Sequence, residues 1–178
     1  MKERGFEVVP VDPPVPLFER SLDRLPTIPL PPGFSVQGVN SLDDGRLRAT
    51  VLHSHFNPQG DWETFWAEYQ QFIGSAVYDG ERDLFVRSPE GRGAAACTLW
   101  FDPVNRVGLF EPVSTHPDFQ GKGLGKAVMA EGLRRMQAVG MRRAIVGFDP
   151  NNVAALALYT SMGFQASGYF AIARKELA

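Results

Sequence analysis

The alternation of apolar and polar residues divides the chain into a series of predicted strands and helices. Strand-like stretches alternate every second residue, whereas helical stretches place apolar residues three and four positions apart. Ser41 can cap the first helix, Asp61 begins the second, and Gly140 and Gly163 end the last two. The predicted order is a strand at 34–39, helices at 41–56 and from 61, strands at 83–87, 93–101 and 106–115, a helix at 124–139, a strand at 144–148, a helix at 152–162, and closing strands at 164–166 and 169–174.

The strands between residues 83 and 115 are joined by proline-containing turns, Ser88-Pro89 and Asp102-Pro103. Such turns between short apolar runs indicate an antiparallel meander. Pro112 lies inside the last of these strands. Because proline has no N–H for the ladder, it predicts a bulge or a break in strand pairing.

Three glycines at alternate positions, Gly121, Gly123 and Gly125, join that strand to the helix that begins at Leu124. A strand that turns through glycines into a helix gathers free main-chain N–H groups at the positive end of the helix dipole. Glycine has no Cβ, so an anion can approach the main chain closely. The loop therefore predicts a phosphate-binding site.

Two common phosphate motifs fit this loop poorly. In a Walker A loop, Gly125-Lys126 would be followed by Ser or Thr, but Ala127 stands there, and Gln120 replaces the first glycine. A dinucleotide fingerprint needs G-x-G-x-x-G, whereas the spacing here is G-x-G-x-G, and too few strand–helix units follow it.

The better fit is Gln-x-x-Gly-x-Gly, formed by Gln120, Gly123 and Gly125. This motif resembles the pyrophosphate-binding loop of the GNAT superfamily of acyl-CoA N-acyltransferases, and the predicted element order over residues 33–178 is similar to the GNAT order. The resemblance implies an α+β fold with a central mixed β-sheet flanked by helices on both faces. It also implies acetyl-CoA as the acyl donor.

Residues 1–32 differ from the rest because they hold most of the prolines. We expect an extended Pro-rich N-terminal extension without a regular helix or central strand, followed by the GNAT-like domain at 33–178. Glu3-Arg4-Gly5-Phe6-Glu7 parallels Ser161-Met162-Gly163-Phe164-Gln165. Two interpretations are open: a remnant hairpin of a preceding acyltransferase copy, or coincidence in a short motif.

Composition narrows the class of protein. A net charge of −2 argues against nucleic acid as the main partner, and no apolar run approaches a membrane span or signal sequence. The single cysteine, Cys97, fits a reducing cytoplasm and a buried strand position. The two histidines closest in sequence, His53 and His55, have no metal-ligand spacing, so no metal is expected. We expect a cytoplasmic monomer or homodimer.

By the resemblance, the cofactor contacts fall on three stretches of the chain. Main-chain groups of the strand after Pro112 pair with pantetheine, the glycine loop holds the pyrophosphate, and the last helix contributes an asparagine and a tyrosine. Lys122 and Lys126 either attract the anionic cofactor or form a solvated face. The implied residues are Val113, Ser114, Thr115, Gln120, Gly121, Lys122, Gly123, Leu124, Gly125, Lys126, Asn152 and Tyr159.

Two residues are candidates for proton transfer. The resemblance assigns Tyr159 as the acid that protonates the thiolate; the alternative is a core tyrosine. Glu111 is the only acid in an otherwise apolar strand, where partial burial would raise its pKa and strengthen it as a base. Glu111 is alternatively an anchor for the substrate ammonium or a member of an internal salt bridge.

The sequence thus predicts an enzyme that moves an acetyl group from acetyl-CoA to a primary amine of a small molecule or peptide. The alternative is a non-catalytic acyl-CoA-binding module, which would keep the glycine loop and lose the acid.

Overall fold

The computed structural model describes residues 7–10 and 12–174. In chain order, the strands of this part are β1 (Glu7–Val9), β2 (Pro16–Ser21), β3 (Ser35–Gly38), β4 (Asp83–Arg87), β5 (Gly93–Asp102), β6 (Val107–Thr115), β7 (Arg143–Gly147), β8 (Gln165–Tyr169) and β9 (Ile172–Arg174). The helices are α1 (Leu42–Phe56), α2 (Trp62–Ile73), α3 (Leu124–Ala138) and α4 (Val153–Ser161), with 3₁₀ turns at Gly80–Arg82 and Pro117–Phe119.

The described residues form two compact units. The larger is Ser21–Ala144, and the smaller combines the described residues up to Arg20 with those from Ile145 onward. The glycine loop and Glu111 belong to the larger unit, and α4 with Tyr159 belongs to the smaller one.

The larger unit contains the antiparallel sheet β3-β4-β5-β6. Its last three strands are consecutive in the chain, so the predicted meander is confirmed. Consecutive apolar side chains of β4 and β5 are fully buried, because both faces of this sheet carry helices.

Helix α3 covers one face of that sheet, and α1 covers the other. The Cys97 thiol lies 3.7 Å from the Val128 carbonyl of α3. The next residue of the strand, Thr98, accepts from the Arg48 guanidinium of α1 at 2.6 Å. Since adjacent strand residues point to opposite faces, these contacts place the two helices on opposite sides of the sheet.

The helix starts follow their predicted caps. The Ser41 hydroxyl accepts from the Asp44 N–H at 3.1 Å, and the Asp61 carboxylate accepts from the Thr64 N–H at 2.8 Å. Each bond satisfies one of the N–H groups that the first turn of a helix leaves without a partner. Local sequence therefore sets the entry into α1 and α2.

The smaller unit corrects one prediction. Residues 1–32 were expected to contain no central strand, but β2 lies between β7 and β8 and pairs antiparallel with β8. Pro16 is the first residue of β2, where a missing N–H is tolerated, and the next proline in the chain is Pro26, beyond the end of β2. The expectation failed because it treated the proline-rich stretch as uniform.

The closing strands also differ from their predicted bounds. The chain continues as one strand through Gly168 to Tyr169, and the separate strand β9 pairs antiparallel with β1. The Phe18 ring of β2 meets the Phe148 ring edge-on at 5.1 Å, which helps to hold β2 in its unit. Residues 3–6 of the proposed internal echo lie outside the described residues, and the boundary at residue 32 stays a prediction.

Candidate active site

The glycine loop joins β6 to α3, and its backbone has a conformation that favours glycine. Gly121 and Gly123 both have a φ of 76°, in the left-handed region that glycine adopts without strain. A Cβ built on either residue would meet no heavy atom within 4 Å. Packing therefore does not exclude a side chain here, and the open space beside the main chain is available to a ligand.

The loop presents main-chain donors at the start of α3. Among the described residues, no acceptor pairs with the N–H groups of residues 121–126, and Gly123 has no side-chain cap. The first turn of α3 contains no acidic residue. These donors and the positive end of a 15-residue helix make this point suitable for an anion.

Basic side chains surround the same loop. The Lys122 ammonium lies 5.1 Å from the centroid of the buried Phe119 ring, and the Arg92 guanidinium lies 4.9 Å from that centroid. Arg92 also pairs with the Asp118 carboxylate, which lowers the pKa of Asp118. Within the described part of the chain, Lys122 and Lys126 form no salt bridge, so their charge is available to an incoming anion.

Gln120 is exposed at the entrance to the loop, where its side-chain amide is 3.5 Å from the Thr115 carbonyl. This contact is too long to hold the amide firmly. Leu124 and Gly125 are buried at the start of α3, so these two residues contribute main chain rather than side chain to the loop surface.

The predicted irregularity at Pro112 is confirmed as a bulge. Phe110 pairs with Leu99 and Val113 pairs with Cys97, so that Glu111 and Pro112 together face the single residue Thr98. Beyond the bulge, Val113, Ser114 and Thr115 pair with β5. The Ser114 hydroxyl is buried and has no partner among the described residues.

Glu111 projects an exposed carboxylate from the bulge. No described residue donates a hydrogen bond or forms a salt bridge to this carboxylate, so the internal salt bridge considered from sequence is absent from this part of the structure. Partial desolvation alone raises the pKa of Glu111 above its usual value. A carboxylate in this state is a stronger base than an ordinary surface glutamate.

In the smaller unit, Tyr159 is 5% exposed on α4. Its ring lies between Phe148, at a centroid distance of 5.3 Å, and Phe164, at 6.1 Å. The Asn152 side-chain oxygen caps α4 by accepting from the Ala155 N–H at 2.9 Å. Asn152 therefore has a structural role in starting the helix that carries Tyr159.

Comparison with known proteins decides the family. The model of the acetyltransferase (GNAT) family matches residues 46–164. This chain belongs to the GNAT family.

Solved structures agree with the fold of this GNAT chain. A GCN5-related N-acetyltransferase from Sphaerobacter thermophilus superimposes with a TM-score of 0.71 at 19% identity, covering 98% of this chain and 54% of that one. A tandem GNAT protein from the clavulanic acid biosynthesis pathway gives 0.67 at 17% identity, covering 93% and 54%. The predicted α+β class with a mixed sheet is confirmed.

Curated relatives of the GNAT chain are named mycothiol acetyltransferase. The relative from Renibacterium salmoninarum is 40% identical over 90% of this chain and 49% of its own length. The relative from Paenarthrobacter aurescens is 37% identical over 81% of this chain and 46% of its own. The chain thus spans about half the length of these two relatives.

A buried ionic cluster in the GNAT domain was missed from the sequence. Asp83 and Arg48, both almost completely buried, form a salt bridge of 2.7 Å. Thr98, Tyr69 and Tyr78 donate to the Asp83 carboxylate, and burial, the largest cause, raises the pKa of both tyrosines. The only feature of the sequence that could have indicated this cluster is the acid Asp83 at the start of an apolar strand.

Neither a membrane helix nor a metal cluster was found in the described part of this GNAT chain. No helix there is long and apolar enough to cross a bilayer. No group of histidine, cysteine and acidic residues there is arranged to hold a metal ion. Burial raises the pKa of the Cys97 thiol, so this residue is an inert core thiol as expected.

Proposed function

We propose that this chain is an N-acetyltransferase that moves an acetyl group from acetyl-CoA to a primary amine of a small molecule or peptide. The observation that carries the proposal is the set of main-chain N–H groups at residues 121–126, which have no acceptor among the described residues. They lie at the start of a helix, in a segment that itself carries Lys122 and Lys126, where a diphosphate is favoured. Membership of the GNAT family supplies the acyl donor.

In the proposed site, the loop from Gln120 to Lys126 holds the diphosphate. Val113, Ser114 and Thr115 offer main-chain groups to the pantetheine arm, and Asn152 contacts the cofactor from the start of α4. The bulge at Glu111 and Pro112 supports this assignment, because it interrupts regular pairing immediately before those residues.

Glu111 is the proposed base. A primary amine is mostly protonated at neutral pH and must lose a proton before it can attack a carbonyl carbon. The exposed Glu111 carboxylate, with its raised pKa, accepts that proton directly or through water. The amine nitrogen then forms a bond to the acetyl carbon.

Tyr159 is the proposed acid. As the carbon–sulfur bond breaks, the electron pair stays on sulfur, and the phenol gives its proton to the thiolate. A phenol with a pKa near 10 is able to protonate a thiolate whose conjugate acid has a pKa of about 8.5 if the two are held together. The products are the acetylated amine and the free thiol of coenzyme A.

The acceptors to be tested are primary amines of three kinds. The curated relatives carry mycothiol in their name, so primary amines related to mycothiol belong in the first panel of acceptors. A peptide with a free N-terminus and a simple alkylamine complete the panel.

The test is thiol release from acetyl-CoA by the full chain, with and without each amine, together with mass spectrometry of the products. Amine-dependent thiol release with acetylation of the amine is expected. Binding of acetyl-CoA without amine-dependent release would instead support a non-catalytic acyl-CoA-binding module. Failure to bind coenzyme A at all would refute both functions.

A further inference from the structure

An exposed tryptophan lies against the proposed base. Trp100 of β5 is 37% exposed, an unusual state for the largest apolar side chain in a strand that is otherwise mostly buried. Its indole N–H donates to the Glu111 carbonyl at 2.8 Å. This bond fixes the ring to the main chain of the residue that carries the carboxylate.

Strand geometry places the Trp100 ring and the Glu111 side chain on one face of the sheet. Trp100 pairs directly with Leu109, and Glu111 lies two residues further along β6. Phe110, between them, points to the opposite face, where its ring lies 2.6 Å from the position that a Cβ on Gly132 of α3 would occupy. Glu111 and Trp100 therefore share the face away from α3.

Phe72 of α2 forms the wall of this corner. Its ring centroid lies 6.2 Å from that of Trp100, and the two rings are tilted by 54°. The Trp100 ring is thus supported on one side by Phe72 and held at its edge by the hydrogen bond, while part of its surface remains open. We name Phe72, Trp100 and Glu111 the aromatic–acidic corner.

The corner has the chemistry of an ammonium site. An indole face attracts a cation through its quadrupole more strongly than the other aromatic rings do. The neighbouring carboxylate has no cationic partner among the described residues, so its charge is not neutralised by the protein. An ammonium group would meet both interactions at once, whereas a neutral group of the same size would gain only apolar contact.

We propose that the aromatic–acidic corner binds the ammonium end of the acceptor and that Trp100 makes the enzyme prefer a cationic amine. The inference rests on the proposed acetyl transfer and deepens it by naming the acceptor side of the site. Trp100 holds the ammonium nitrogen beside the Glu111 carboxylate, to which the proton then passes. Phe72 fixes the indole and sets the size of the group that fits.

Substitution of Trp100 by Leu tests the corner. The KM for an amine acceptor should rise about 2- to 30-fold, the range set by the usual strength of a cation–π contact, while the KM for acetyl-CoA should stay unchanged. Trp100→Phe keeps a weaker ring and should give an intermediate KM. An unchanged acceptor KM in both variants would overturn the inference while leaving acetyl transfer intact.

A pair of unreactive probes separates charge from shape. A trimethylammonium compound and its neutral tert-butyl isostere have nearly the same size, but only the first is a cation. The wild-type protein should bind the cation more tightly in calorimetry, and Trp100→Leu should abolish this difference. Equal binding of the two probes by the wild-type protein would refute the corner as an ammonium site.

The matched control is Trp62→Leu, which makes the same chemical change on α2. The Trp62 ring is half-buried and already faces the Arg46 guanidinium at 5.7 Å, and among the described residues no carboxylate accompanies it as Glu111 accompanies Trp100 in the aromatic–acidic corner. This variant should keep the acceptor KM and the probe preference of the wild type. If acetyl transfer fails in the wild-type protein, the probe experiment still decides whether the corner binds a cation.

Discussion

A methyl group added at Gly123 gives the sharpest test of the diphosphate site, because Gly140 provides an internal control. The two residues flank α3 at opposite ends, with φ angles of 76° and 83°. A Cβ on either one would meet no heavy atom within 4 Å. Replacement by Ala therefore introduces the same backbone strain at both positions without a clash in the free protein.

The expected cost in stability is similar for the two variants. Holding an alanine in the left-handed region costs about 1–2 kcal/mol, and the stiffer unfolded chain returns about 0.4–1 kcal/mol of that. A net loss of about 1 kcal/mol corresponds to a fall of about 2–4 °C in Tm for a chain of this size. Thermal unfolding should show nearly equal shifts for Gly123→Ala and Gly140→Ala.

The affinity for coenzyme A should distinguish Gly123→Ala from Gly140→Ala. A methyl at Gly123 lies where the diphosphate approaches the main chain, and the loss of one hydrogen bond to a charged group costs about 1.5–3 kcal/mol. That range corresponds to an increase of about 10- to 150-fold in Kd, measured by calorimetry. Gly140→Ala, at the opposite end of the helix, should bind as tightly as the wild type.

One result would refute the diphosphate site. If both variants lost the same stability and both bound coenzyme A normally, the open space at Gly123 would have no ligand to accommodate. A loss of affinity in Gly140→Ala equal to that in Gly123→Ala would show that general strain in α3 explains the effect.

Four further predictions, made on three variants, concern proton transfer and stability. Glu111→Gln should lower turnover most at pH values above the raised pKa of Glu111, where the wild-type carboxylate is ionised and can accept a proton. It should also remove the fall in activity that the wild type shows as pH drops through that pKa, and an unchanged pH–rate profile would exclude Glu111 as the base. The raised pKa means that the folded state disfavours the ionised form of Glu111, so the contribution of Glu111 to the free energy of unfolding is lost as pH rises through that pKa. Glu111→Gln should therefore have a Tm at pH 7 equal to or above that of the wild type. Tyr159→Phe should reduce kcat about 100-fold or more while coenzyme A binding is retained. The control Tyr169→Phe, which changes an exposed ring, should leave kcat unchanged. A normal kcat in Tyr159→Phe would exclude the acid role. Asp83→Asn should lower the free energy of unfolding by about 3–5 kcal/mol, because it leaves Arg48 buried without a charged partner. A calorimetric loss below about 1 kcal/mol would contradict this account.

Local signals explain why so much of the larger unit was predictable. The caps at Ser41 and Asp61 and the bulge at Pro112 each depend on a few adjacent residues. The glycine loop is equally local, since the strand before it and the helix after it are both evident in the apolar pattern. The roles of the loop residues, Glu111, Asn152 and Tyr159 stay predictions.

Long-range contacts were not predictable in the same way. The partner of Asp83 is Arg48, on a helix separated from it by the whole of α2, and no local pattern links them. Trp100 meets Glu111 only because the register of β5 and β6 and the bulge bring them together. The position of β2 between β7 and β8 depends on pairing across more than a hundred residues of chain.

The position of β2 also determines which shortened forms of this protein would keep their strand edges paired. The family match begins at residue 46, well after β2 ends at Ser21. Starting the chain at the first matched residue would remove β2 and leave β7 and β8 without their shared neighbour, which would expose two hydrogen-bonding edges to other molecules. The stretch that the family model matches is therefore shorter than the stretch that protects these strand edges from pairing with other copies of the chain.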